Sequence, residues 1–355
     1  MGRIAKRRTM EVELRVTNLC QLRCKHCYID AGIKDSGTPK IIWDETVIDL
    51  VTEFLAVLVE RITLNNVSSK ILIKFSGGEP MLLGAKKLAY LSEKLSKNVA
   101  YSCSGIVSNF LGYNSEIGKV AKEYNWVVFA SYDPVVRFGG NSKIEALFQR
   151  KVKQALDEGL DVILSVVMTK ELFKMDILQY AKNLGVSKVY FAPYVSTGRG
   201  KEVADYLCPT REEIVEYIKH FYSFERDIKI IPFDDFTKVY SEFIETGRGS
   251  IECWSDCYND FGINPDLTVT SIGMCFDKGY EYGRVYRPVE KAVEEVISSR
   301  NRLEFMKYKL FSNKRCLECE FFGFCRGGCL SYEKHSYVEE CRGLKGLLEF
   351  LKRRN

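Results

Sequence analysis

The chain carries thirteen cysteines in 355 residues, and their spacing is uneven. Three fall in Cys20-Gln-Leu-Arg-Cys24-Lys-His-Cys27-Tyr28, eight lie between Cys253 and Cys341, and only Cys103 and Cys208 stand alone between the two groups. Three thiolates in one short loop can hold three corners of an iron–sulfur cube and leave the fourth iron open to a ligand, whereas electron-transfer clusters take four cysteines. A structural zinc loop is the plainer alternative, but zinc wants four ligands, and only His26 stands near. The second group reads Cys316-x2-Cys319-x5-Cys325-x3-Cys329, with Cys341 after it and Cys253, Cys257 and Cys275 before it. Eight thiolates saturate either two four-cysteine iron–sulfur clusters or two four-thiolate zinc sites.

A second motif is Phe75-Ser-Gly77-Gly78-Glu79-Pro80. Consecutive glycines let backbone approach a ligand closely, and the Glu79 carboxylate can hold an ammonium group. Alone, the same residues describe a glycine turn leading into a helix. Cys103 and Cys208 read as small buried hydrophobes, and His220 and His335 have no partner pattern.

These residues need a scaffold, and the first two hundred positions alternate short apolar runs with amphipathic stretches, as a βαβ series does. Strands are expected at Glu11 to Thr17, Ile71 to Phe75, Ala100 to Val107, Trp126 to Ser131, Asp161 to Met168 and Lys188 to Ala192. Helices are expected at Asp44 to Glu60, Ala85 to Lys97, Ser115 to Tyr124, Ser142 to Glu158 and Leu172 to Asn183. Both motifs then sit where strands end. The expected fold is α/β, a partial (β/α)6 barrel over residues 1–210. Helices at Arg211 to Phe224 and Asp234 to Thr246 form a connector over 211–250. A small cysteine-rich α+β module follows over 251–355, with a hairpin at Gly262 to Cys275 and one helix at Val289 to Phe311.

Composition narrows the class. With 46% hydrophobic and 28% charged residues the chain can bury a core. A net charge of +5 gives no ground for a nucleic-acid partner. No apolar run reaches the ~18 residues that span a bilayer, and Met1 to Met10 lacks the apolar stretch of a signal peptide. We therefore expect a cytoplasmic protein without a membrane partner, whose thiols stay reduced and serve metals rather than disulfides.

The two motifs, in this order, resemble those of the radical S-adenosylmethionine (radical SAM) superfamily. The resemblance implies that Cys20, Cys24 and Cys27 bind a 4Fe-4S cluster and that Gly77, Gly78, Glu79 and Pro80 contact the methionine amino group of S-adenosylmethionine. It further implies that Ser131 and Asp133, in Ser131-Tyr132-Asp133, line the ribose, although both are also ordinary turn formers. Ser108-Asn109-Phe110 stays unassigned. The second cysteine run resembles the SPASM extension of peptide and protein maturases. By that resemblance, Cys253, Cys257, Cys275 and Cys329 hold one auxiliary 4Fe-4S cluster, and Cys316, Cys319, Cys325 and Cys341 hold another, making three clusters in all. Two departures are visible: the usual Pro-Asp-Gly turn reads Pro265-Asp266-Leu267, and the sulfatase-maturing relatives' basic aspartate falls one place late, at Asp277 after Phe276.

The activity implied is reductive cleavage of S-adenosylmethionine to a 5'-deoxyadenosyl radical, which abstracts hydrogen from a substrate C–H bond. Oxidation or crosslinking of a peptide or protein side chain is the favoured outcome. Maturation of a tetrapyrrole or metallopterin by the same radical is the alternative, and a non-catalytic zinc-stapled binding protein is the alternative from another class. Cys20 stands too early for a leader-binding domain before it, so a separate carrier is one way to deliver the substrate. Ferredoxin or flavodoxin is the expected reductant.

Overall fold

The computed structural model describes residues 8–29, 39–64, 69–246, 260–272, 281–311, 313–328, 341 and 344–354. Cys253, Cys257, Cys275, Cys329, Asp277 and His335 lie outside the described residues.

β1 (Arg8–Arg15) alternates polar and apolar side chains, and both faces are buried. Met10, Val12 and Leu14 are at most 1% exposed. Glu13 and Arg15, on the opposite face, are also buried, because that face lines the inside of a curved sheet rather than meeting water. β2 (Ser69–Ser76) repeats the pattern, with Ile71, Ile73 and Phe75 buried and Lys74 and Ser76 turned inward. β3 (Cys103–Ser108), β4 (Val127–Tyr132), β5 (Val162–Val167) and β6 (Lys188–Ala192) follow in order, each parallel to the last. Parallel strands need crossovers, and these are helices: α1 (Glu45–Leu64), α2 (Gly84–Asn98), α3 (Ser115–Glu123), α4 (Ser142–Asp157) and α5 (Ile177–Leu184). Asn114, Asn141 and Asp176 cap the last three by accepting from backbone N–H groups of the first turn. Gly185, at φ 86°, ends α5 in the left-handed conformation.

The sheet is larger than the six strands expected. Past the short α6 (Ala204–Leu207) and α7 (Arg211–Phe221), β7 (Lys229–Ile231) pairs parallel with β6, so the stretch read as a connector also extends the sheet. α8 (Phe233–Thr246) follows. At the other edge β8 (Phe261–Ile263) lies parallel to β1, pairing Val12 with Phe261 and Leu14 with Ile263. β9 (Thr268–Thr270) and β10 (Glu281–Arg284) continue antiparallel, giving ten strands in the order β10-β9-β8-β1-β2-β3-β4-β5-β6-β7. In the β8–β9 turn Leu267 takes φ 69°, the conformation a glycine adopts freely. The leucine of Pro265-Asp266-Leu267 thus sits in a left-handed conformation at about 1 kcal/mol of strain.

Two helices differ from expectation. The single helix at Val289 to Phe311 is two, α9 (Val289–Ile297) and α10 (Arg300–Phe311), because the Ser298 hydroxyl donates back to the Glu294 carbonyl at 2.6 Å and competes with continuation. The helix expected from Leu172 starts at Ile177. Thr169 first captures Leu172 N–H at 3.1 Å in a separate 3-10 turn, and Asp176 then caps α5. The cysteine-bearing α11 (Lys314–Leu317) and α12 (Phe322–Cys325) precede the C-terminal α13 (Lys345–Arg354). Among the described residues no helix is long and apolar enough to cross a membrane.

Candidate active site

The inward side chains of the parallel strands enclose a cavity of about 320 Å³. Its wall takes alternate residues from successive strands: Glu11 and Glu13, Lys74 and Ser76, Val107, Phe129 and Ser131, Ser165 and Val167, Tyr190 and Ala192. Its roof is formed where these strands end, by Cys20, Cys24, His26 and Cys27, by Gly77, Gly78 and Glu79, and by Asn109, Arg137 and Arg199. The C-terminal ends of parallel strands are where α/β folds place their ligands.

The cysteine loop alternates: Cys20, Leu22, Cys24 and His26 are buried, while Gln21, Arg23 and Lys25 face outward. N–H groups point at two of the sulfurs. Leu22 N–H and the Asn109 amide reach Cys20 Sγ at 3.3 and 3.8 Å, and the Arg137 guanidinium reaches Cys24 Sγ at 3.7 Å. Burial pushes the Cys20 thiol up to about 12 and raises Cys24 as well. A thiol in such a place becomes a thiolate when a cation binds it, and the directed N–H donors fit that charge. Among the described residues no three side chains converge as closely as a single metal ion requires. A cubane spreads its thiolates over three irons, so the Cys20, Cys24 and Cys27 loop is compatible with the larger group.

Gly77 and Gly78 have a geometric reason. A Cβ on Gly77 would stand 2.3 Å from the Thr17 carbonyl oxygen, and one on Gly78 would stand 2.0 Å from that of Leu19. Gly78 N–H donates to Thr17 O at 2.6 Å and Glu79 N–H to Leu19 O at 2.8 Å. The two motifs are thus one unit, laced backbone to backbone. The Glu79 carboxylate accepts from Ser108 Oγ at 2.7 Å, Asn109 N–H at 2.7 Å and Met81 N–H at 3.1 Å, while burial raises its pKa.

Of the other expected contacts, Ser131 lines the cavity and Pro80 and Asp133 do not; Pro80 opens a 3-10 turn. Asp133 Oδ1 accepts from Val135 N–H at 3.0 Å and Val136 N–H at 2.6 Å, a turn that delivers the Val136 carbonyl to Lys25 N–H at 3.1 Å. Its Oδ2 is buried without a partner, as is His26 Nδ1. Burial raises Asp133 and lowers His26 well below the usual imidazole range.

One wall charge is tied into a network. Glu13 accepts from Ser76 Oγ at 2.5 Å, Tyr28 OH at 3.0 Å and Arg15 Nη2 at 2.9 Å. Burial pushes Glu13 up, but Arg15 and these donors outweigh it and hold the carboxyl below its ordinary value. Arg15 continues to Asn264 Oδ1 at 2.8 Å and the Ile272 carbonyl at 3.0 Å, joining both motifs to the β8–β9 hairpin.

No protein-family model matches the chain. Over 347 residues, 92% of this chain and 69% of the other, it is 23% identical to the radical SAM cyclopropyl synthase TigE of Paramaledivibacter caminithermalis. Solved structures show the same fold. anSMEcpe with bound AdoMet superposes with a TM-score of 0.74 at 18% identity, covering 98% of this chain and 97% of that one. SuiB of Streptococcus suis bound to precursor peptide SuiA gives 0.61 at 15% identity, covering 95% and 76%.

Sequence reasoning missed Arg137, Arg199 and Asn109 of this site. Arg137 and Arg199 are lone basic residues in glycine-containing turns after β4 and β6, with no spacing to mark them. Asn109 had a signal: it directly follows β3, the strand end next to the Gly-Gly-Glu-Pro turn.

In the C-terminal region, Cys316, Cys319 and Cys325 sit on successive tight turns. Cys319 N–H donates to Cys316 O at 3.2 Å, and Cys325 N–H to Phe321 O at 2.8 Å. Phe324 stacks edge-on to Tyr240 of α8 at 5.1 Å, so these turns rest on an aromatic core. Cys341 is half-buried, Cys103 and Cys208 are also half-buried, and His220 is exposed.

Proposed function

We propose that the chain is a radical SAM enzyme that holds a 4Fe-4S cluster on Cys20, Cys24 and Cys27 and S-adenosylmethionine against Gly77, Gly78, Glu79 and Ser131, and that it oxidises or crosslinks a peptide or protein side chain. The observation that carries the reading is the lacing of Thr17 and Leu19, which lead into the cysteine loop, to Gly78 and Glu79 over one largely apolar cavity. When bound, the two cofactors supply a 5'-deoxyadenosyl radical able to take hydrogen from an unactivated C–H bond.

The chain's own residues orient and insulate. Asn109 and Arg137 direct N–H groups at the thiolate sulfurs and offset their charge. Glu79 ties the β2 loop to the end of β3, fixing the roof. Val107, Phe129, Val167 and Tyr190 present apolar surface that keeps water from a reactive intermediate.

A peptide substrate is supported by two solved structures of the same fold that hold peptides, anSMEcpe with Cp18Cys and SuiB with SuiA. We assign residues 251–355 to a SPASM-type extension with two auxiliary clusters, one on Cys253, Cys257, Cys275 and Cys329 and one on Cys316, Cys319, Cys325 and Cys341. The turns that carry Cys316, Cys319 and Cys325 support the second set.

The test is iron and labile sulfide per chain after anaerobic purification, for the wild type and a Cys20/Cys24/Cys27→Ala variant. Three clusters give about twelve irons, falling to about eight in the variant. Reduced wild type with S-adenosylmethionine then yields 5'-deoxyadenosine, and a peptide substrate loses two hydrogens in mass. Zinc in place of iron, unchanged in the variant, overturns the reading.

A further inference from the structure

Besides the Glu13–Arg15 network, the cavity wall holds a second pair of opposite charges, and it belongs to neither motif. Lys74 Nζ donates to Glu11 Oε1 at 2.5 Å, and both side chains are 24% exposed where Arg15 is fully buried. Lys74 stands two residues, roughly 7 Å, before β2 ends at Ser76, so the pair lies below the glycine turn rather than in the roof. The other charges on this cavity have tasks of their own. Glu13 is neutralised by Arg15, and Glu79, Arg137 and Arg199 are bonded into the roof. Asp260 Oδ1 accepts the Glu11 backbone N–H at 3.0 Å and so steadies the strand that carries Glu11.

The Glu11–Lys74 pair adds little to the fold. β1 and β2 are already paired from Arg8↔Ser69 to Arg15↔Ser76, and a partly exposed ion pair contributes little beyond that. What the pair offers is chemistry: an ammonium that donates, beside a carboxylate whose Oε2 accepts no hydrogen bond among the described residues. The pair has no net charge, so a charged substrate group would bring an uncompensated charge against it in a largely apolar space. A neutral group that shows a donor and an acceptor on one edge satisfies both halves at once. The side-chain carboxamide of asparagine or glutamine is such a group, its C=O accepting from Lys74 and its N–H donating to Glu11. Phe129, whose ring lies 5.7 Å from Lys74 Nζ, and Tyr190, edge-on to Phe129 at 5.7 Å, wall the space beside it.

We propose that Glu11 and Lys74 form a carboxamide-reading subsite, and that the peptide acted on presents an asparagine or glutamine side chain to it while the reacting C–H bond lies nearer the roof. The inference rests on the peptide reading of the function and names the residue type that anchors the substrate.

The test is binding, which needs no turnover. Cluster-loaded protein with S-adenosylmethionine is titrated, by ligand-observed NMR, with the N-acetyl methylamides of asparagine, alanine, lysine and aspartate β-methyl ester. The ester keeps the shape and the carbonyl of asparagine but has no side-chain N–H to donate. The wild type is expected to hold the asparagine probe at least about tenfold more tightly than the ester or the alanine probe. In Glu11→Leu/Lys74→Met, which removes both charges and leaves no orphan behind, that ratio falls to about one, while iron content and the urea midpoint hold. A merely structural role would move the midpoint and leave the ratio alone. Equal binding of the asparagine and ester probes by the wild type overturns the subsite without recourse to any variant, as does the absence of saturable asparagine-probe binding. So does a preference that survives in the double variant, or tighter binding of the lysine probe, which would make Glu11 and Asp260 a cation site. If the reduced wild type forms no 5'-deoxyadenosine, the radical reading fails, and the probe series still decides the subsite.

Discussion

Glu13 shows how a polar residue in a strand pattern becomes part of a site. Its neighbours in sequence, Val12 and Leu14, face the helices, so its own side chain must face the barrel interior, where an uncompensated carboxylate would be costly. Arg15, Ser76 and Tyr28 compensate it and hold the carboxyl below the ordinary value of 4.5. A carboxylate with a depressed native pKa adds stability that is fully present above the unfolded pKa and is lost as pH falls through the native one. Glu13→Gln leaves Arg15 buried without its counter-charge, and we expect a loss of about 3–5 kcal/mol at pH 7. Urea unfolding of both proteins between pH 8 and pH 3 checks this. The gap should hold steady down to about pH 4.5 and narrow below it; a gap independent of pH would show that Glu13 acts through the geometry of its hydrogen bonds rather than its charge.

At the scale of elements, β8 is the least obvious piece. Gly262 lies beside Glu13 in the β1–β8 register, and a Cβ there would stand 2.5 Å from Arg15 Nη1. A guanidinium end can usually step aside, but this one is fixed by Glu13, Asn264 and the Ile272 carbonyl. Gly262→Ala is expected to cost about 1–3 kcal/mol by overpacking. In an Arg15→Met background, whose flexible side chain can yield, the same change should cost much less, a coupling that a double-mutant cycle of denaturation midpoints reads directly. Equal costs in both backgrounds would place the strain elsewhere. The same glycine marks where sequence reading stops. The six βαβ strands and both motif loops were legible, because alternation, caps such as Asp176 and terminators such as Gly185 are local signals. β7 and β8 were not legible as members of the barrel sheet. Each is three residues long, too short for a period, and each is set by partners far along the chain. The roof cations Arg137 and Arg199 were hidden for the same reason: their meaning comes from Cys24, 113 and 175 residues away.

At the scale of the molecule, the first strand is closed by residues near the other end of the chain. β1 pairs with β8 across some 249 positions, Arg15 reaches Asn264, Trp43 donates its indole N–H to Pro265 O at 3.1 Å, and Arg287 grips Glu53 with two N–H groups at 2.9–3.2 Å. The exposed Arg287–Glu53 pair adds little stability by itself. The strand pairing and the buried Arg15 contacts add much more, because without them β1 becomes a sheet edge with a buried cation left facing solvent. Open edges with unpaired N–H and C=O groups recruit other strands. A chain ended after Thr246 should therefore keep its helical circular-dichroism signal but elute as aggregate in gel filtration, at concentrations where the full chain does not. Adding Arg15→Met should not rescue it, because the exposed edge of β1 remains. A truncated chain that elutes as a monomer and unfolds at the full-length midpoint would show that the seven parallel strands stand alone, and that the C-terminal strands serve the site rather than the fold.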